Sequence, residues 1–350
     1  MAALQLKRFN MHGDDVDIVL TDYSHNMQTI SDNLRELAIF SNVYYSSVSD
    51  IYQGGNIFHK IYKTLLVMEN EERLFNRFGI PLKDYNALVV CNLDIPACQF
   101  FLSLRKRNRN LLLYRIEEGY STYTKYNQYQ FLERIMKVYC GLTRLPNPYH
   151  NVDALYIYNP ELVLWDCQYK KNKLRKFSPN DENDKKLLNA VFGYKGDAKK
   201  IDKYKVILIE ESFSKDKKEN INDEELFNDV IKTVGSENVI IKHHPRVTKN
   251  RFKNCEVLES NLPWEIIQMN GNFKDKIFIT ISSGAVLSSK IWLEDCVKAY
   301  FCFNCVNKKP KMLDENYMTF FAKMNNKFHP EMWIIPNSKF ELLKFLREEV

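Results

Sequence analysis

The chain of 350 residues is predicted to be an α/β protein of two domains built on parallel sheets. Three observations predict this. Short apolar runs alternate with stretches of helical spacing, the pattern of a parallel sheet with helical crossovers. The length exceeds the roughly 100–200 residues of a single domain. A polar interval dense in Lys, Asn and Asp, Gln168 to Lys186, separates two such alternations. The domains are therefore expected at 1–170 and 187–350, joined by a linker at 171–186.

In the first half, Asp15 to Thr21 reads as a strand ending at Asp22-Tyr23-Ser24-His25-Asn26, with a helix near Met27 to Phe40 after it. Val43 to Ser46 is a second short strand. Ile57 to Arg77 has helical spacing, Asn86 to Cys91 is a buried strand, and Ile95 to Arg105 is the helix that follows. Leu111 to Ile116 is a strand that runs into Glu117-Glu118-Gly119, so the acidic pair sits at its carboxyl end. A helix near Tyr126 to Cys140 and a strand over Val152 to Tyr158 complete this half.

The second half repeats the alternation. Tyr204 to Glu210 is a strand, Asp223 to Val234 a helix, and Asn238 to Lys242 a strand ending in His243-His244-Pro245-Arg246. Cys255 to Leu258 is a short strand and Pro263 to Met269 a helix opened by proline. Lys276 to Ile281 is a strand that breaks into Ser282-Ser283-Gly284, followed by a helix over Ala285 to Leu293 and a strand over Val297 to Phe303. Trp333 to Ile335 and a final helix, Ser338 to Glu349, close the chain.

Composition narrows the class. Hydrophobic residues make up 45% and charged residues 27%, with only 11 Gly and 11 Pro, which excludes a disordered or fibrous chain. Apolar runs such as Val16 to Leu20 and Ala87 to Cys91 are far shorter than the roughly 20 residues that span a bilayer. No secretory pattern is visible over Met1 to Asp15, so a cytoplasmic location is expected. The 8 cysteines are scattered, as in reduced, buried thiols, and no disulfide is expected. Cys302-Phe303-Asn304-Cys305 is a lone CxxC without a second pair, so no metal site is expected.

The net charge of +6 carries basic clusters at Arg105-Lys106-Arg107, Lys170-Lys171-Asn172-Lys173 and Asn307-Lys308-Lys309. Such a surface attracts anionic lipid or a nucleotide-linked donor. Nucleic acid is set aside, because no helix-turn-helix, zinc finger or RNP-type aromatic motif accompanies the charge.

Three polar motifs follow predicted strands, where open α/β sheets bind ligands. At Ser282-Ser283-Gly284 a strand gives way to a helix start, whose unpaired N–H groups and hydroxyls suit a phosphate; a plain Ser cap would look the same. At His243-His244-Pro245-Arg246, proline holds His244 in extended geometry, and a protonated imidazole there could stabilise a departing phosphate. At Glu117-Glu118-Gly119 adjacent carboxylates point to opposite sides, one toward a cleft and one toward a structural partner. Glu210 and Glu211, at another strand end, are a rival source of a base. An acid, an imidazole and hydroxyls together are the groups needed to move a sugar from a nucleotide without metal.

The ordered set of an acid-acid-Gly motif, a His-Pro motif and a Ser-rich motif resembles the bacterial sialyltransferases. The resemblance is nearest to glycosyltransferase family 52, with the capsule polysialyltransferases as relatives. Asp17-Ile18-Val19-Leu20-Thr21-Asp22, Glu117 to Tyr123, and Leu262-Pro263-Trp264-Glu265-Ile266-Ile267 add to it. It implies a GT-B fold of two Rossmann-like domains with the active site in the cleft between them, acceptor side first and donor side second. It also implies an inverting, metal-independent transfer from CMP-sialic acid to a terminal sugar of a capsule or lipooligosaccharide, with no cofactor.

In that reading Glu117 or Glu118 is the base and His244 acts on the CMP phosphate. His243, Pro245, Arg246, Ser282, Ser283 and Gly284 hold the donor. A glycan acceptor, lipid-linked at the inner face of the plasma membrane, is an expected partner, with peripheral membrane contact and a homodimer as further expectations. Two other readings stand beside it: a UDP-hexose transferase on the same fold, and a non-catalytic glycan- or anion-binding protein.

Overall fold

A computed structural model describes residues 1–23, 26–52, 62, 66, 69–124, 130–165, 167–213, 219–244, 247, 250–252, 254–288, 297–328 and 330–350. The chain divides into two compact units, Met1–Lys176 and Phe177–Val350.

In the first unit, α1 (Ala2–Phe9) precedes β1 (Asp17–Thr21), α2 (Met27–Glu36), β2 (Asn42–Ser46), α3 (Ser49–Tyr52) and α4 (Glu71–Phe78). Next come β3 (Ala87–Val90), α5 (Ile95–Arg107), β4 (Leu112–Ile116), α6 (Tyr120–Tyr123), α7 (Gln130–Thr143), β5 (Ala154–Ile157) and β6 (Lys170–Lys173). Strands β1 and β2 pair in parallel, and β3-β4-β5-β6 form a parallel sheet in sequence order. Helix starts follow from capping: Asp94 accepts from the Ala97 amide at 3.0 Å, with proline in the first turn of α5. Helices α5 and α7 bury Phe101, Leu102, Leu132 and Met136 in one cluster with Leu113 of β4. Burying such side chains contributes about 1.5–3 kcal/mol each.

The second unit holds α8 (Glu182–Phe192), β7 (Val206–Ile209), α9 (Asp223–Val234), β8 (Val239–Lys242), β9 (Glu256–Val257) and α10 (Trp264–Asn270). Strand β10 (Ile277–Thr280), α11 (Gly284–Ser288), β11 (Lys298–Phe301), α12 (Glu315–Lys327), β12 (Trp333–Ile334) and α13 (Lys339–Glu349) follow. The sheet is parallel, in the order β12-β11-β10-β7-β8-β9. Every residue of β7, β8 and β10 is buried, as strands covered on both faces require.

The structure departs from the sequence reading in the polar interval. Residues 171–186 are not a bare linker: Lys170–Lys173 pairs with β5 as an edge strand, and Asp181 caps α8. An edge strand with a solvated face tolerates Lys-Lys-Asn-Lys, which an apolar-run criterion passes over. Helices α1, α8 and α12 were not expected from the sequence, whereas α4 takes up only the end of the helical stretch read from Ile57 to Arg77. Much of that stretch, residues 126–129 of the helix expected from Tyr126, and 289–293 of the one expected from Ala285 lie outside the described residues.

Candidate active site

The second unit has a topological switch. From β7 the chain adds β8 and β9 on one side, and β10, β11 and β12 extend the sheet on the other. Crossovers to opposite sides of the β7/β10 pair leave a crevice at the strands' carboxyl ends, where open sheets take ligands. Register puts the exits level: Ile209 is opposite both Lys242 and Thr280. Glu210-Glu211, His243-His244 and Ile281-Ser282-Ser283 therefore leave the sheet along one edge. The motifs after β8 and β10, and the rival glutamates after β7, are brought together.

Their roles differ. The Glu211 carboxylate accepts from the Ser282 amide at 2.7 Å and from its hydroxyl at 3.0 Å, across the switch point. The Ser282 carbonyl accepts from the Tyr317 hydroxyl at 3.2 Å, and the side chain has no solvent exposure. Ser282 is thus part of the crevice floor, bound to the buried Glu211 side chain. The donor-binding hydroxyl expected here is instead turned to Glu211: Ser282, the second residue past β10, is fully buried with both its amide and its hydroxyl on that side chain. Ser283 is half-buried; its amide donates to Thr280 Oγ1 at 3.0 Å, and its Oγ accepts from the Ala285 amide at 3.2 Å. Among the described residues that hydroxyl has no acceptor for its proton. Gly284, exposed, opens α11.

Glu210 is buried and clamped by the His243 imidazole, through Nδ1, and by the Arg251 guanidinium. Burial pushes its carboxyl up, but the bonds from His243 and Arg251 outweigh burial and leave it below the ordinary carboxylate range. An anion can only accept, so Nδ1 of His243 carries the proton, and Nε2 is buried without a hydrogen-bond partner among the described residues. Arg251 also reaches Asp223 at 2.7 Å and Glu224 at 3.4 Å. Glu210 and Glu211, both committed to partners, are poorly suited to take a proton from an acceptor. His244 is half-buried, and its carbonyl accepts from the Val247 amide at 2.8 Å. Pro245 and Arg246 lie outside the described residues.

In the first unit, β4 delivers Glu117-Glu118-Gly119 to its carboxyl end. Glu117 is buried, and its Oε2 accepts from the Tyr158 amide at 2.8 Å and the Tyr123 hydroxyl at 2.7 Å. Burial pushes its carboxyl up to about 8, against the smaller lowering effect of these two bonds. Glu118 is exposed, and its amide donates to Thr122 Oγ1 at 3.0 Å. Gly119 has φ +125° and ψ −152°, a conformation essentially confined to glycine. It turns the chain from β4 into α6. Neighbouring Asp94, at the exit of β3, is pushed up to about 6 by burial, with the Glu118 charge adding to the rise against the Ala97 amide bond.

Arg251, Tyr123, Tyr158 and Tyr317 carry much of this geometry and were not singled out from the sequence. Arg251, Tyr158 and Tyr317 act across 35 residues or more, contacts that no local spacing announces, whereas Tyr123 lies only six residues from Glu117. Among the described residues no group of His, Cys, Asp or Glu is disposed to hold a metal ion, and no helix is long and apolar enough to cross a membrane.

Comparisons with known proteins agree with this architecture. The spinosyn forosaminyltransferase SpnP is similar in structure at a TM-score of 0.50 and 8% identity, over 99% of this chain and 84% of that one. The calicheamicin glycosyltransferase CalG4 gives 0.49 and 13%, over 99% and 84%. At such identities the SpnP likeness speaks for the fold alone, the GT-B fold of nucleotide-sugar glycosyltransferases. No curated protein matches the sequence. The profile of the family described as "Alpha-2,8-polysialyltransferase (POLYST)" matches residues 6–302. A match of that extent, on a GT-B fold with acid, imidazole and serine motifs at its strand ends, makes the chain a glycosyltransferase that belongs to the alpha-2,8-polysialyltransferase family.

Proposed function

We propose that the protein is an inverting sialyltransferase that moves sialic acid from CMP-sialic acid to the terminal sialic acid of a bacterial surface glycan, such as a capsule chain. The observation that carries this reading is the level edge at the β7/β10 switch point, where His244 and Ser283 emerge over the Glu211–Ser282 floor. An acceptor hydroxyl oxygen attacks the anomeric carbon as the bond from that carbon to the CMP phosphate oxygen breaks. The hydroxyl proton passes to Glu118, and CMP leaves with its phosphate charge met by His244 and the Ser283 hydroxyl. A single displacement of this kind inverts the anomeric configuration.

Glu118 is preferred to Glu117 as the base because it faces solvent while Glu117 is enclosed by Tyr158 and Tyr123. Glu117 holds the β4 exit in place. Pro245 and Arg246, beside His244, complete the donor site in this reading, and the acceptor is a lipid-linked glycan. Membership of glycosyltransferase family 52 itself is part of the same proposal.

Purified protein supplied with CMP-sialic acid and a short α2,8-linked sialic acid acceptor is expected to release CMP and lengthen the acceptor. Thermal stabilisation by CMP above UDP and GDP is expected alongside. No CMP release together with preferential stabilisation by UDP would transfer the reading to a hexosyltransferase. No turnover and no nucleotide stabilisation would leave a non-catalytic binding protein.

A further inference from the structure

Helix α7 leaves a stripe of large apolar side chains in solvent. Phe131 is 62% exposed, Val138 64% and Leu142 81%, and all three lie on this one helix. At about 100° per residue, positions 131, 138 and 142 fall within roughly 40° of one another, along about 16 Å of helix. They form one seam. The opposite face is committed inward, with Leu132, Met136 and Cys140 buried in the core of the first unit. The seam is thus a second apolar face, beyond the one the fold needs.

Its flank is basic. Arg134 and Lys137 are exposed and lie on one side of the stripe, Arg144 is exposed just past the end of the helix, and half-buried Glu133 is the only acid within residues 130–144. A helix with apolar side chains in solvent and cations beside them has the makeup of a segment that lies in the interface of a bilayer. A second copy of the chain would have to pair this surface with itself about a two-fold axis. An antiparallel pairing would set the flank carrying Arg134 and Lys137 against its own copy, a like-charge contact, whereas an anionic lipid surface meets the apolar seam and the cations at once.

We infer that the exposed face of α7, with Phe131, Val138 and Leu142 inserted among lipid headgroups and Arg134 and Lys137 on anionic phosphates, docks the protein on an anionic membrane. The placement suits the acceptor: α7 is the next helix in sequence after α6 and belongs to the unit carrying the acid motif Glu117-Glu118-Gly119. The inference rests on the reading of the acceptor as lipid-linked, but its test reads binding rather than turnover.

The full chain is mixed with vesicles of phosphatidylglycerol and phosphatidylcholine, or of phosphatidylcholine alone, and sedimented at low salt. Binding is expected to the anionic vesicles and to fade as salt is raised. The triple variant Phe131→Ser, Val138→Ser, Leu142→Ser is expected to lower binding about tenfold. Arg134→Glu with Lys137→Glu, which leaves the apolar seam intact and guards against a folding defect, is expected to do the same to within about a factor of three. Both should keep wild-type turnover on a short soluble acceptor, so loss of that turnover in the wild type strikes at the proposed reaction and not at docking. Wild-type protein that ignores anionic vesicles, or variants that bind them like wild type, would overturn the inference. So would a wild-type dimer that the triple variant converts to monomer, since the seam would then belong to a second copy.

Discussion

Glu117 and Glu118 are neighbours in sequence and opposites in environment because successive residues leaving a strand point to opposite sides. The sequence alone predicts that division but leaves open which residue goes where, since identity depends on what packs behind β4. Tyr123 and Tyr158 decide it by closing around Glu117. Glu118→Gln is expected to cut kcat at least about a hundredfold with little change in fold, measured by CMP release and circular dichroism. Glu117→Gln is expected to act on stability instead. A carboxyl raised from 4.5 to about 8 favours the folded state below 4.5, and this contribution declines as pH rises toward 8, because the unfolded chain ionises first. The glutamine variant lacks that titration. Its denaturation midpoint should therefore fall less than that of the wild type between these limits, and parallel slopes for the two proteins would refute the assignment.

At the scale of elements, apolar strands were readable because four or five consecutive buried residues leave an unmistakable run: Val206–Ile209, Val239–Lys242 and Ile277–Thr280 all lie within strands expected from sequence. What ties their exits together was not readable, because it depends on register between strands far apart in the chain. The Glu210–Arg251–Asp223 network shows the difference. Glu210 and His243 stood at predicted strand ends, while Arg251 came from a polar tract with no pattern of its own. Arg251→Met should leave the buried Glu210 carboxylate without its guanidinium and cost about 3 kcal/mol of unfolding free energy in a denaturant titration. Because the paired Glu210 is held below its ordinary range, that deficit should be present near neutral pH and shrink in acid. A deficit that is constant with pH would point to lost packing alone.

On the scale of the molecule, each unit has its own parallel strands and its own buried core, so each can unfold as a cooperative body. The proposed donor site lies in the second unit. Calorimetry is expected to show two transitions, with CMP raising only the one from residues 177–350, by about 2.7 kcal/mol at a hundredfold excess over Kd. A shift of both transitions by equal amounts would contradict a donor site confined to that unit. The extent of the units was only partly legible: the change in composition after Gln168 is real, but β6 and the start of α8 occupy it, and a polar edge strand leaves no apolar signature.

The placement of β7 beside β10 also has a consequence for the birth of the chain. The first unit is complete at Lys176 and can close while the rest is still being synthesised. Strand β7 emerges soon afterwards and finds β8 within a few dozen residues, but its other neighbour ends only at Thr280. Until then an apolar strand carries an open edge, the kind of surface that recruits strands from other chains. The sheet that lays out the crevice is thus the last part of the molecule to become safe from aggregation. Slow synthesis between residues 210 and 280 should therefore lower the soluble yield more than an equal delay within the first unit.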